Sequence, residues 1–478
     1  MNSQTALLII LFVIVATVGF GMFGVRRVKM SPAQFILGGR SFGVIFLWLL
    51  SAGEVYTSFT FLGAAGWAYS RGAPAFYIIC YLTVSCITVF FFMPPIWRTA
   101  RQNGLLTNAD YFAHRYQSRT LSILTALVGV VFLIPYITLQ LTGIQILLQI
   151  AGYGAINSVL AAGGAFALIV GFVSISGLRG AAWASLIKDA LVLGGVIFAG
   201  IVLPIHFFGS PQAAIDKVLE VHPNWMTLVR GPENYGVIWF ATTVLLSGLG
   251  GYMWPHAFAS NLAAKGPDTI RRNAMILPVY QIMLLLVFFA GFTALLIKPG
   301  LNGPEVDQSF MLVVQAHYPA WVLGLVAAAG CLAGLVPASA QILAAASLLS
   351  RNLFRVKEEQ VTRWTRRWIV VLALLAFGFW VFNRATLVGL LLIGYSGITQ
   401  LFPGVVLSLR KQPPHAWSVA AGILVALGLL ILFAVQGIGV IYGANVGAVA
   451  LAANAVCLLV VDYFMRRKPW SAASLARP

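Results

Sequence analysis

The sequence predicts an all-α polytopic membrane protein, and three observations carry that prediction. Of its 478 residues, 60% are hydrophobic and only 9% charged, with a mean hydropathy of +0.91, whereas a soluble domain carries about 25% charged residues. Apolar runs of the length needed to cross a bilayer, roughly 20 residues each, recur from end to end with no polar block of domain size between them. The charges gather in the short loops that separate those runs. So few charges cannot coat a water-facing surface, which argues against a soluble enzyme. The net charge of +18 reads as loop charge that sets topology rather than as a nucleic-acid surface.

Thirteen segments are long enough to span, at about 4–25, 42–70, 73–95, 120–150, 155–176, 183–206, 236–256, 274–297, 319–349, 369–383, 387–408, 416–436 and 441–463. They form one transmembrane domain over 1–478, with the first helix peripheral. The first segment reads as a retained helix: it is too long for a secretory signal core, and its basic residues, Arg26, Arg27 and Lys29, follow it instead of preceding it. The tenth is the shortest. The loop at 207–235 has a helical pattern across Pro211 to Leu219, and the loop from Gly300 to His317 has helical capacity after Pro304, with Glu305 in its first turn. Cys80, Cys86, Cys331 and Cys457 fall inside apolar runs without metal-ligand spacing and read as packing residues.

Placing the N-terminus outside leaves only Arg71, Lys217, Arg230, Lys298 and Arg384 of the 30 basic residues on the outer face. The bias of basic loops toward the inner face then predicts a cell-membrane protein with an odd number of crossings and a cytoplasmic C-terminus.

Two segments look interrupted. The second holds Gly53-Glu54-Val55-Tyr56-Thr57-Ser58, where glycine permits unwinding and Tyr56, Thr57 and Ser58 supply hydroxyls. Glu54 is the sharpest residue in the chain, because a carboxylate deep in a membrane segment is costly unless paired, protonated or coordinated. It is read as a substrate or coupling group, with a structural anchor as the bland alternative. The seventh segment holds Ser247-Gly248-Leu249-Gly250-Gly251-Tyr252-Met253-Trp254-Pro255-His256. Its glycines favour unwinding, and Pro255 removes a backbone donor. Amides around Gly248, Gly250 and Gly251 would receive a substrate's negative group, with Tyr252 orienting it. His256 reads as a substrate or proton contact, or as a helix cap. Breaks five crossings apart fit two inverted five-helix units, about 42–206 and 236–408, followed by two C-terminal helices at about 416–463. In the ninth segment Gln341 alone suggests coupling or gating among packing alanines. Asp189 either forms an inner vestibule or neutralises Lys188, and Asp110 reads as a cap or ion-pair partner.

Phe35-Ile36-Leu37-Gly38-Gly39-Arg40, Phe61-Leu62-Gly63, Asn108-Ala109-Asp110-Tyr111-Phe112 with Arg115-Tyr116, and Leu349-Ser350-Arg351-Asn352-Leu353-Phe354 together resemble the sodium:solute symporter family, from the first segment to about Arg355. The resemblance implies the leucine-transporter-like inverted repeat with about 13 transmembrane helices, and alternating access. It also implies a sodium site at Gly53 and Tyr56 in the broken helix and at Ala333, Val336 and Pro337 in the ninth, with Asp189 on the inward ion path. The family usually has Ser or Thr where this chain has Val336 and Pro337, which offer no side-chain oxygen. Gly53 to Thr57, Met253 to His256 and Leu335 to Ala338 look like the bacterial monocarboxylate permease branch, which implies lactate, pyruvate or propionate.

The expected function is therefore secondary active transport of a small organic anion through a central cavity, with Na+ or H+ as coupling ion and no cofactor. Sodium-coupled symport of another solute, such as an amino acid, and a non-transporting membrane sensor are the alternatives. Oligomeric state is not legible.

Overall fold

A computed structural model of the chain describes residues 2–23, 31–229, 235–383 and 385–467. Arg26, Arg27, Lys29, Arg230 and Arg384, named above, lie outside the described residues.

The membrane elements are α1 (Asn2–Phe23), α2 (Val44–Val55), α3 (Phe59–Arg71), α4 (Ala73–Gln102), α5 (Arg119–Ala151), α6 (Ser158–Ser174) and α7 (Gly177–Phe208). They continue with α8 (Val237–Gly250), α9 (Pro255–Leu262), α10 (Pro267–Ile297), α11 (Ala320–Leu353), α12 (Glu358–Phe382), α13 (Leu387–Ser408), α14 (Ala416–Val435) and α15 (Val446–Arg467). Ten of these are long and apolar enough to cross a bilayer alone, and α6 is a shorter apolar helix. The pairs α2–α3 and α8–α9 pass that test only together, bent by 52° and 48°. Every segment expected from the sequence thus has a helical counterpart. The chain is a multi-pass membrane protein.

Burial ranks the helices. In α11, 89% of the apolar window is enclosed, against 28% in α1 and 22% in α15, so α11 is the axis of the bundle while α1 and α15 face lipid. Small residues allow this: Gly330, Gly334 and many alanines let neighbouring helices approach α11 closely, the way association is secured where lipid removes the hydrophobic drive. A Cβ at Gly330 would stand 2.8 Å from the Phe61 ring, and one at Gly324 would stand 3.0 Å from the Ala6 backbone.

The breaks have local causes. The chain turns between α6 and α7 at Gly177, whose φ of +56° suits glycine. Between α2 and α3 no proline intervenes. Instead Thr60 Oγ1 donates to the Val55 carbonyl at 2.8 Å and accepts from the Thr57 amide at 2.8 Å, so a side chain takes bonds the helix ladder would have made. Between α8 and α9 the cause is Pro255, which holds Trp254 in an extended conformation with ψ 130°.

Several boundaries differ from expectation. The tenth span begins at Glu358 rather than 369, because its first turns are charged on one side and invisible to a hydropathy reading. The last span begins at Val446, after a two-residue hairpin pairing Val440–Ile441 with Ala444–Asn445. Helices at Pro211–Val221 and Ser309–His317 form where the loops showed helical pattern. Asp110 completes a capping box with Thr107 at the start of the short helix Asn108–Tyr116 and pairs with Arg351 at 3.5 Å. None of the four cysteines is in a disulfide.

Candidate functional site

A cavity of about 90 Å³ lies at the two breaks. Ser51, Glu54 and Val55 come to it from α2, Leu82, Ser85, Cys86 and Val89 from α4, and Tyr136 from α5. Gly251, Tyr252 and Trp254 come from the second break, His256, Ala257 and Asn261 from α9, Asn273, Ala274, Leu277 and Gln281 from α10, and Tyr395 from α13. Glu54 is the only Asp, Glu, Lys or Arg among these lining residues. Its Oε1 accepts a hydrogen bond from Ser260 Oγ at 2.5 Å, so the two broken helices are tied together through the carboxylate itself.

The wall has unspent hydrogen-bonding capacity. Asn273 Nδ2 donates to Ser51 Oγ at 3.0 Å and Asn261 Nδ2 to the Ala257 carbonyl at 2.9 Å. Asn273 Oδ1, Asn261 Oδ1, Gln281 Oε1 and His256 Nδ1 are buried with no partner among the described residues. Buried polar groups are costly to leave unpaired, so a cluster of them around one cavity marks a place for a polar ligand. Aromatic rings line another part of the wall: Tyr136 and Trp254 have ring centres 4.9 Å apart, and Trp254 and Tyr395 5.4 Å.

The residues singled out from sequence divide. Glu54, Gly251, Tyr252 and His256 line the cavity, and His256, at 3% exposure, faces it from the first turn of α9. Gly248 and Gly250 do not unwind. The helix runs through Gly250, and these glycines serve close contact: a Cβ at Gly248 would stand 2.6 Å from Val84, and one at Gly250 2.0 Å from Thr399 Oγ1. Their amides are therefore spent inside α8, and the break falls at 251–254.

Thr57 and Ser58 are fully buried away from the cavity. Thr57 Oγ1 accepts from the Phe59 amide at 3.2 Å, and the Ser58 amide donates to Gln140 Oε1 at 3.2 Å. The Ser58 side chain fills the notch left by Gly143 and Gly334. Gln341 is buried in α11, its amide unpartnered among the described residues, and does not line the cavity.

A second centre lies behind the first break. Tyr56, where α2 ends, turns its carbonyl toward Lys188 Nζ of α7 at 3.5 Å, and Lys188 Nζ meets Asp189 Oδ1 at 2.6 Å. Gly53 lies against the same lysine: a Cβ there would stand 3.2 Å from Nζ and 3.0 Å from Ser185 Oγ. On α11, Ala333, Val336 and Pro337 are all buried, and the Val336 carbonyl accepts from Ser339 Oγ at 2.6 Å.

Sequence reasoning missed Lys188, Ser260 and the amides of α9 and α10. The signal for Lys188 was present: a charged residue inside a span is as informative when basic as when acidic. It was counted with the loop charges because it lies near the start of the segment drawn at 183–206, whereas α7 begins at Gly177 and holds Lys188 well within the helix. The side chain of Lys188 is completely buried, so it is no inner-face loop charge.

Comparison with known proteins agrees with this geometry. The chain is 39% identical over 98% of its length to the uncharacterized symporter YhjB of Bacillus subtilis (strain 168), covering 99% of that protein. It is 28% identical to a monocarboxylate transport permease protein of Rhizobium johnstonii, over 98% of both chains. Its fold matches the substrate-bound, outward-open structure of a Na+-coupled sialic acid symporter with a TM-score of 0.80 at 16% identity, covering 96% of this chain and 98% of that one. That match places the two interrupted helices within a leucine-transporter-like inverted repeat. The sodium:solute symporter family model matches residues 35–412, and the chain belongs to that family, as a secondary active symporter of small solutes and not an enzyme.

Proposed function

We propose that the protein takes up a small monocarboxylate through the cavity between the two breaks, together with a coupling cation. The observation that carries this reading is the position of Glu54, the one charged group lining a small polar cavity. A monocarboxylate facing Glu54 puts two like charges in a water-poor site, where they repel strongly. The solute therefore enters only with a compensating positive charge, and that requirement couples its movement to a cation gradient. The amides of Asn261, Asn273 and Gln281, which present N–H or C=O as they turn, orient the solute, and the aromatic wall takes its short apolar part. The relative at 28% identity named for monocarboxylate transport supports the class.

In this scheme Glu54, Gly251, Tyr252 and His256 contact solute or coupling ion. Thr57, Ser58, Gly248 and Gly250 shape the helices around them, and Gln341 acts from the bundle axis. Binding must favour one access state over the other, since equal affinity for both shifts neither. Units at about 42–206 and 236–408 would move against each other, with the N-terminus outside. An impermeant maleimide should then label a cysteine placed at Gly303 in intact cells and leave one placed at Gln412 unlabelled.

A second reading has support in the same carboxylate: the ammonium of a zwitterionic amino acid would pair with Glu54 directly. Purified protein in liposomes separates the two. Uptake of lactate, pyruvate, propionate and an amino acid is followed while sodium and proton gradients are set independently. Monocarboxylate uptake that responds to a cation gradient supports the proposal, amino-acid uptake alone selects the second reading, and saturable binding without flux selects a sensor.

A further inference from the structure

The break after α2 leaves the Tyr56 carbonyl outside the helix ladder, and a free carbonyl beside a buried carboxylate is where a coupling sodium ion is expected from the family's name and pattern. The residues here fit such an ion poorly. A hard cation takes oxygen ligands, commonly several, but Val336 and Pro337 have no side-chain oxygen, and the Val336 carbonyl already accepts from Ser339. The place is also taken. Lys188 Nζ lies 3.5 Å from the Tyr56 carbonyl and 2.6 Å from Asp189 Oδ1, with its side chain fully enclosed. Gly53 leaves the room it needs, since a Cβ there would press to 3.2 Å of Nζ.

From this we propose that the Lys188 ammonium is a tethered substitute for sodium: it braces the α2–α3 break against α7 as a bound ion would, and the carrier neither binds nor consumes sodium at this position. Three features of Lys188 point the same way. A lysine fully buried in a membrane bundle needs a compensating charge, and among the described residues the acid it forms an ion pair with is Asp189. Its remaining contact is a backbone carbonyl at a helix break rather than a solvent-facing group. A sodium ion added here would meet a unit positive charge at contact distance, with the carboxylate already neutralised.

The idea rests on the family fold, not on the choice of solute, and the melting and sodium-binding arms of its test need no transported substrate. Melting temperature and binding of radioactive sodium are measured on the purified full-length protein in sodium chloride and in choline chloride at equal ionic strength. Sodium should leave the melting temperature of the wild type unchanged and should not bind saturably. Lys188→Ala exposes the Tyr56 carbonyl and Asp189 together. It should melt lower in choline and recover with sodium, because a ligand of the folded state raises its stability by mass action; adding Pro337→Ser, which restores a hydroxyl, should enlarge the recovery. In liposomes, wild-type uptake should be the same in sodium and in choline, and Lys188→Ala in choline should lose about tenfold or more, as when a buried ion pair is broken.

Saturable sodium binding by the wild type, or uptake that stops when choline replaces sodium, overturns the proposal. So does a Lys188→Ala protein with wild-type stability and uptake in choline. Should Lys188→Ala fail to fold, the wild-type comparison decides alone. Failure to transport any monocarboxylate would sink the substrate reading while leaving the melting and binding results to judge Lys188.

Discussion

Ser260 Oγ donates to Glu54 Oε1 across 2.5 Å, joining α9 to α2 at the only charged side chain on the cavity wall. The bond reports to both interrupted helices, so its loss should be felt as looser solute binding more than as unfolding. A hydrogen bond to a charged group contributes about 1.5–3 kcal/mol, and Ser260→Ala should therefore raise the apparent KM for uptake by roughly tenfold or more. Glu54→Gln keeps the shape and can still accept from Ser260, but it removes the charge. Its uptake should lose its response to the cation gradient while its melting temperature stays close to wild type. Paired uptake and melting curves check both, and an unchanged gradient response in Glu54→Gln would remove the role given to Glu54.

Asp307 offers a pH handle outside the spans. It sits in the helical turn Gly303–Gln308, is 1% exposed, and its Oδ2 accepts from the Leu387 amide at 2.8 Å. Burial pushes its carboxyl up to about 7, only partly opposed by that hydrogen bond. In the unfolded chain it ionises near the ordinary value of 3.8. Between those values the folded state holds a proton that the unfolded state has given up, so stability falls as pH rises through that window and levels off above about 7. Melting temperature should drop from pH 5 to pH 8 by this contribution. Asp307→Asn, which keeps an acceptor for Leu387, should flatten that part of the curve and melt higher than wild type at pH 8.

The sequence was most legible where hydrocarbon dictates it. A span must be continuously apolar, so all thirteen segments stand out, and Glu54 stands out because lipid makes a carboxylate conspicuous. Breaks were half legible. Pro255 announces one directly, but the break at Tyr56 depends on the Thr60 hydroxyl reaching back to the Val55 carbonyl, a local side-chain choice that composition does not encode. The glycines of α8 misled because glycine has two uses in membranes, unwinding and close approach, and Thr399 and Val84 pressed against Gly250 and Gly248 select the second. Lys188 was hidden because it lies near the start of the segment drawn at 183–206 and was counted with the neighbouring loop charges. The amides of Asn261, Asn273 and Gln281 were hidden because only the fold brings α9 and α10 to face Glu54.

The loop after α7 is held to the turn between α3 and α4. The Ala73 amide donates to the Trp225 carbonyl at 2.8 Å, and Trp225 Nε1 donates to the Ala68 carbonyl at 3.1 Å. Gly72 makes this possible: its φ of +66° with ψ −125° is glycine territory, and a Cβ would stand 2.1 Å from the Trp225 carbonyl oxygen. Gly72→Ala should cost about 1–3 kcal/mol from backbone strain alone and should also push Trp225 off its seat. Faster cleavage between 209 and 229 by an added protease, with little change elsewhere, is the expected signature. Equal protection in wild type and variant would show that the loop is held by other contacts.

The other end of α4 is fastened by a denser network. Asn352, at the end of α11, donates from Nδ2 to Asp110 Oδ1 at 2.7 Å and accepts at Oδ1 from Thr107 Oγ1 at 2.9 Å. Arg351 bridges Asp110 at 3.5 Å and Glu358 at 2.9 Å. Asp110 also accepts from the Leu106 and Thr107 amides, so one carboxylate caps the short helix Asn108–Tyr116 and binds it to the most enclosed span of the bundle. Truncating Asn352 to Ala leaves the buried Thr107 hydroxyl without the acceptor for its proton, although it still accepts from the Asp110 amide, and removes one donor from Asp110. The expected loss is about 1–3 kcal/mol, whereas Glu358→Ala, which removes only an exposed partner of Arg351, should cost about 0–1 kcal/mol. Because Asn352 joins α11 to the helix Asn108–Tyr116, its loss should also ease separation of the two. Maleimide labelling of a cysteine placed at Ser122, a buried residue beside Asn352, should quicken in Asn352→Ala and stay slow in Glu358→Ala. Equal labelling in both would mean that the network stabilises the fold without guarding this end of the bundle.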